Sequence, residues 1–257
     1  MPGILLRIPY IQNKVSEVAT TQLSGHLGVP VKIGNVDIEW FNRLVLEGLY
    51  LEDQDGKVMF EANHVAAGFE IMPLLEGKFV FTTVRLFGFS FNLRKHTPES
   101  PLNLQFVIDA FASKDSIKKE KNIDLRFNSI MIRRGNFSYN VDSEKETPGK
   151  FNAKHIDIKN LSAKISLKAF NKDSVNAHIK KMSFDEASGF SLNKLSLNVV
   201  GNRDSAFVQD FEVRLPQTNL KIGRARIDLS EIDSLPALLN NAPIDLNITP
   251  SQICLKD

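Results

Sequence analysis

The chain has 257 residues, of which 42% are hydrophobic and 24% are charged, a composition typical of globular rather than disordered or collagen-like proteins. Its 32 Lys and Arg against 30 Asp and Glu give a net charge of +2, with both signs interleaved, which argues against a nucleic-acid-binding surface. The single cysteine, Cys254, cannot form an intramolecular disulfide. No apolar run approaches the ~20 residues that a membrane-spanning helix needs.

The first predicted element is an amphipathic helix over residues 9–28. Pro9 suits the first helical turn, apolar residues then recur at helical spacing, and Gly28 and Pro30 end the pattern. From residue 29 the apolar period changes from 3.6 to 2, which predicts strands over 29–112. Short helical patterns also begin at Leu102 and lie around 72–75 and 235–240. A charged stretch at 113–122 predicts a polar linker, and a second strand segment covers 123–257.

The strand pattern changes phase at six similar places. On one side of each joint the apolar residues have even numbers, on the other side they have odd numbers, and a glycine or asparagine lies between. The joints are Gly48, Gly88, Gly135, Asn160, Asn193 and Gly223. Both residue types tolerate positive φ, so each joint is either a β-bulge within a long strand or a very tight hairpin turn. Either geometry keeps one face apolar across the joint.

These patterns predict a mainly β fold: one elongated, curved, largely antiparallel sheet with an N-terminal amphipathic helix and a few short helices. We expect residues 1–257 to form a single such region. Exposed apolar surface costs about 25 cal/mol per Å², so this sheet must curl, pair with another sheet or hold an apolar ligand. The residues expected to line its apolar face are Leu44, Leu46, Val84, Leu86, Ile130, Ile132, Ile156, Ile158, Ile222 and Ile227.

Residue patterns typical of catalysis are not found in the sequence. The five histidines, at positions 26, 64, 96, 155 and 178, have no metal-ligand spacing, and there is no nucleophile elbow or phosphate-binding glycine motif. Asp55 and Gly56 predict a hairpin turn between two strands. The sequence therefore favours a non-enzymatic protein without cofactor or metal.

Residues 7–112 closely resemble the N-terminal segment of the TamB and AsmA-like family of Gram-negative envelope proteins. In that family a Pro-x-x-Gln helix precedes a V-x-I-G-x-V strand and an L-x-G-x-x-L-x-D segment. The matching positions here are Pro9, Gln12, Val31, Ile33, Gly34, Val36, Leu46, Gly48, Leu51 and Asp53. The resemblance is diffuse after residue 112.

The resemblance implies a β-taco, or repeating groove, whose apolar interior conducts phospholipid between the inner and outer membranes. It further implies a periplasmic fragment of a longer protein, anchored to the inner membrane by an upstream segment. The ten apolar-face residues would then be lipid-groove residues. The alternative is a scaffold that helps outer-membrane proteins to assemble by β-strand addition along an open sheet edge. A glycan-binding surface is disfavoured, because it would use Trp and Tyr more than Phe.

Overall fold

A computed structural model describes residues 9–39, 42–72, 79–111, 123–170, 174–202, 204–228 and 244–254. Two helices lie in these ranges, α1 (Pro9–Leu27) and α2 (Gln105–Phe111). The strands are β1 (Val31–Lys32), β2 (Asn35–Glu39), β3 (Arg43–Glu52), β4 (Val58–Phe69), β5 (Phe79–Lys95), β6 (Ile123–Val141), β7 (His155–Phe170), β8 (Ser174–Glu186), β9 (Ser191–Asn202), β10 (Ser205–Arg214), β11 (Asn219–Asp228) and β12 (Ile244–Ile248).

The described strands form one open, mostly antiparallel sheet. Its order is β1-β3-β4-β5-β6-β7-β8-β9-β10-β11-β12, and β2 pairs with β3 beside β1. From β3 onward each strand therefore lies next to its neighbour in sequence. The predicted mainly β, largely antiparallel fold with an N-terminal helix is confirmed.

Several local predictions are confirmed, and others lie outside the described residues. Helix α1 ends one residue before the predicted boundary, and Gly28, with φ of 70°, follows it. The helical pattern from Leu102 forms α2, and the predicted hairpin turn connects β3 to β4 with Gly56 at φ of 71°. The predicted linker at 113–122 and the helical pattern at 235–240 lie outside the described residues, as does most of the pattern at 72–75.

The described residues belong to two compact units. Unit 1 falls within 1–127, 132–161 and 186–189, and unit 2 within 128–131, 162–185 and 190–257. Both helices belong to unit 1.

Gly48 and Gly88 change the strand phase without shifting the register. Both have φ near 60° in the interior of a strand. In β3 and β4 the pairs Glu47–His64 and Leu49–Ala62 enclose Gly48 and Asn63, and in β4 and β5 Asn63 faces Gly88 in the same way. The neighbouring strands β3, β4 and β5 therefore change phase together at the row of Gly48, Asn63 and Gly88. This geometry is neither a hairpin turn nor a bulge with an extra residue.

The other four joints also lie inside strands, so none of the six is a hairpin turn. Asn160 is left-handed in β7, with φ of 56°. Two joints are β-bulges: β9 shifts by one residue against β8 around Asn193, and β11 shifts against β12 at Gly223.

At the Gly135 joint in β6 the positive φ, 53°, belongs to the neighbouring Arg134 and not to Gly135. Gly135 is buried instead, and an added Cβ atom would overlap the Phe89 ring. The requirement for glycine at this position is one of space.

Helix α1 covers the first edge of the sheet. Ala19, Leu23 and Leu27 pack against the buried cluster of Val31, Ile33 and Val36. The helix hydroxyls also bond to the edge backbone: the Ile33 N–H donates to Thr20 at 3.2 Å, and Ser24 bonds to both the N–H and the carbonyl of Val31 at 3.0 and 3.3 Å. Polar groups of this edge are therefore satisfied by the helix rather than left for another strand.

Replacing Ser24 with alanine is expected to lower the free energy of unfolding by about 1–2 kcal/mol, because it removes two hydrogen bonds to the backbone of Val31. Urea unfolding followed by circular dichroism measures the change. Thr21→Ala is the matched control, since Thr21 is exposed and its hydroxyl donates to the Glu17 carbonyl of the same helix. Equal stability of the Ser24 and Thr21 variants would contradict the edge-capping role.

Candidate functional site

The four expected apolar-face residues of β3 and β5 lie on one face of the sheet. Residues directly opposite each other in antiparallel strands point to the same side. Ala67 of β4 pairs with both Leu44 and Val84, and Val65 pairs with both Leu46 and Leu86. Two lateral apolar rows therefore cross β3, β4 and β5.

The same face continues beyond the phase change. The next two rows are Leu49–Ala62–Phe89 and Leu51–Phe60–Phe91. Leu44, Leu46, Leu49 and Leu51 all pack against the cluster of Val31, Ile33 and Val36. Since residues from both sides of Gly48 contact one cluster, the phase change keeps the apolar side chains of β3 on a common face.

Eight of the expected apolar-face residues lie in β3, β5, β6 and β7. Leu44 and Leu46 are half-buried and pack against the cluster of Val31, Ile33 and Val36, which α1 also contacts. Val84 and Leu86 of β5 are half-buried, and so are Ile130 and Ile132 of β6 and Ile156 and Ile158 of β7. Burial therefore does not separate the eight residues; Leu44 and Leu46 are distinguished by their packing against the cluster that α1 contacts.

Unit 2 has an equivalent set of rows that includes the last two expected residues. Ile222 pairs with Phe211 and Ile227 pairs with Ala206. The neighbouring rows are Leu195–Val213–Leu220 and Ala177–Val199–Val208–Ala225. Among the described residues of this unit, the buried hydrophobics are Ala163, Leu192, Ala206 and Ala225. The apolar face of unit 2 is thus formed mainly by half-buried side chains.

Phenylalanine clusters on the apolar face were not identified as site residues from the sequence. In unit 1 the Phe60 ring lies 6.1 Å from Phe89 and 5.7 Å from Phe91, and Phe91 lies 6.2 Å from Phe137. In unit 2 the rings of Phe184 and Phe190 are 6.0 Å apart. The excess of Phe over Trp and Tyr was the available signal, because rings without a polar atom suit a wholly apolar surface.

An ionic network fixes the turn after β3 to the end of β5. The Asp53 carboxylate, 2% exposed, accepts hydrogen bonds at 3.0 Å from the Arg94 guanidinium and from the Asn103 amide. Burial raises the pKa of Asp53, but bonds from Asn103, the Lys57 backbone and Arg94 outweigh it and hold the pKa below its usual value. Arg94 also pairs with Asp55. This network positions the strand ends rather than forming a reactive site.

A second buried carboxylate closes the turn between β8 and β9. Burial raises the pKa of Glu186, but hydrogen bonds from the Ser188 hydroxyl and backbone and from the Asp157 backbone outweigh this and lower the pKa. Among the residues that the structure describes, no three His, Cys, Asp or Glu side chains are grouped as metal ligands.

The fold defines a class of protein: an open, mostly antiparallel sheet that carries rows of apolar side chains on one face in each unit. No protein-family model and no curated protein matches the chain. None of the helices in the described ranges is long and apolar enough to cross a membrane. The resemblance to TamB and AsmA-like proteins stays a prediction.

Proposed function

We propose that the apolar face binds the acyl chains of phospholipid, and that the chain is a non-enzymatic, periplasmic segment of an envelope protein that conducts phospholipid between the inner and outer membranes. The observation that carries this proposal is the continuity of the apolar rows in unit 2 without a covering helix in its described residues. Binding acyl chains would remove this half-exposed surface from water, and each Å² removed would stabilise the complex by about 25 cal/mol.

The phase changes support the same proposal. Strand β3 has 10 residues and contains two leucines on each side of Gly48. If strict alternation continued through Gly48, the two leucines after it would point to the opposite face of the sheet. Left-handed residues and bulges instead keep the apolar residues together over the whole strand. Such a device is useful to a protein that needs a long apolar surface, because an acyl chain is itself long and has no polar group to bind.

Phospholipid binding is expected to be lost when a charge is placed on the apolar face of unit 2. Ile222→Glu should weaken binding of a radiolabelled phospholipid by about tenfold or more, because the acyl chains would have to remove water from an unpaired carboxylate. Lys221→Glu is the control, because it places the same side chain one residue away on the other face of β11. Equal binding by the two variants, or no binding by the delipidated parent protein, would contradict the proposal.

A second candidate function is strand addition for the assembly of outer-membrane proteins, and an asymmetry between the two sheet edges favours it. The first edge is capped by hydroxyls of α1, whereas β12 pairs with β11 and is the last strand on the described sheet path. Ile248 of β12 is 59% exposed. Photocrosslinking in cells separates the candidates: lipid adducts at Val208 support transport, and protein adducts at Asn247 support strand addition.

A further inference from the structure

Two arginines of unit 2 stack on one phenylalanine on the polar face of the sheet. Arg224 and Arg226 lie two residues apart on β11, and Phe207 lies on the adjacent strand β10. Their guanidinium carbons are 4.8 and 5.9 Å from the centre of the Phe207 ring. The residue between them, Ala225, is 5% exposed and belongs to the apolar rows, so the arginines face the other way.

The two guanidinium groups lack the carboxylate partners that three other described arginines have. Arg94, Arg43 and Arg214 each form an ion pair with a carboxylate. For Arg224 and Arg226 the described chain provides the aromatic ring but no carboxylate within ion-pairing distance. Each guanidinium has five N–H donors, and stacking uses its face and leaves the edge available.

The surroundings of the pair form a shallow recess of about 520 Å³, lined by Phe207, Arg224, Arg226, Asp245 and Asn247. Its formal charge is +1, from two arginines and one aspartate. Two guanidinium groups over one ring repel each other, and an anion between them would relieve this repulsion. The Asn247 amide adds a further neutral donor.

We propose that Phe207, Arg224 and Arg226 form a binding site for a phosphate group. A tetrahedral phosphate offers pairs of oxygens on different sides and can meet two guanidinium edges at once, whereas a carboxylate offers one such pair. Phe207 holds both arginines in place before the anion arrives, which reduces the ordering cost of binding. The source of the phosphate is either an anionic lipid headgroup or a soluble phosphate ester.

The test compares two probes: inorganic phosphate by calorimetry, and vesicles of phosphatidylglycerol or phosphatidylcholine by flotation. The Arg224→Gln and Arg226→Gln double variant is expected to weaken binding by about tenfold or more, as expected for loss of charge-assisted hydrogen bonds. The charge-matched control is the Lys180→Gln and Lys221→Gln double variant, which leaves Phe207 and both arginines unchanged.

Two further variants test the geometry. Phe207→Leu should weaken binding by about two- to fivefold, since it keeps apolar bulk but removes the ring that orders the arginines. Asp245→Asn should strengthen binding, because it removes the only negative charge of the recess. Circular dichroism of each variant confirms that the sheet is retained.

The outcomes distinguish the sources and can overturn the site. Binding of free phosphate supports a soluble phosphate ester, and binding only to phosphatidylglycerol vesicles supports a headgroup. Binding of neither probe, or equal loss in the charge-matched control, overturns the proposal. The site is independent of the acyl-chain proposal, since Ile222→Glu should leave phosphate binding unchanged.

Discussion

Replacing Gly88 with valine is expected to lower the free energy of unfolding by about 2–4 kcal/mol. Gly88 has φ of 59°, a left-handed conformation that is especially strained for a β-branched residue. An added Cβ atom would also lie 2.6 Å from the Asn63 amide nitrogen, so that side chain would have to move. Urea unfolding of the purified protein measures the loss.

Two companion variants separate strain at Gly88 from the effect of valine as such. Ser90→Val places the same residue two positions along β5, where φ is not positive, and should change stability by less than about 1 kcal/mol. Gly88→Asn should cost less than Gly88→Val because asparagine tolerates positive φ, as Asn160 does in β7. If all three variants lost the same stability, the left-handed joint would not be the cause.

Replacing Arg94 with alanine is expected to cost about 3 kcal/mol, because it leaves the Asp53 carboxylate buried without its cationic partner. The Arg94 side chain is itself only 11% exposed, and it also pairs with Asp55 and Asp142. Arg43→Ala is the control: its pair with Glu39 is solvent-accessible and should contribute less than about 1 kcal/mol. Similar losses in both variants would show that burial of the Asp53 pair adds nothing.

The Asp53 carboxylate should also make the stability of the protein depend on pH. Its pKa in the folded protein lies below its usual value of about 3.9, so ionised Asp53 stabilises the fold above that value. This contribution is lost as the pH falls through the lower, folded-state pKa. The difference in unfolding free energy between the parent protein and Asp53→Asn should therefore shrink as the pH is lowered from 6 to 3. A constant difference would contradict this assignment.

The strands were predictable because alternation of apolar and polar residues is a local pattern. So were Gly48 and Gly88 as phase changes, since glycine interrupted an otherwise regular alternation. The matching changes at Asn63 in β4 and at Asp210 in β10, where φ is 53°, were missed. The signal at Asn63 was weak because alanines lie on both sides, and aspartate was not expected at such a position.

The sequence pattern could not predict contacts between residues that are far apart along the chain. Arg94 and Asp53 are 41 residues apart, and their pairing depends on the register of β3, β4 and β5. The packing of α1 near Leu44 and Leu46 depends in the same way on the turn into β1. Stacking of Arg224 and Arg226 on Phe207 required the β10–β11 register.

The most direct test of the shared apolar face uses a phospholipid with a photoactivatable acyl chain and maps the labelled residues by mass spectrometry. Label is expected on both sides of the phase change, at Leu86 and Val65 and at Phe91 and Phe60, which pair across β4 and β5. Label on Glu61 and Ser90 of the opposite face, or on one side of Gly88 alone, would contradict the account.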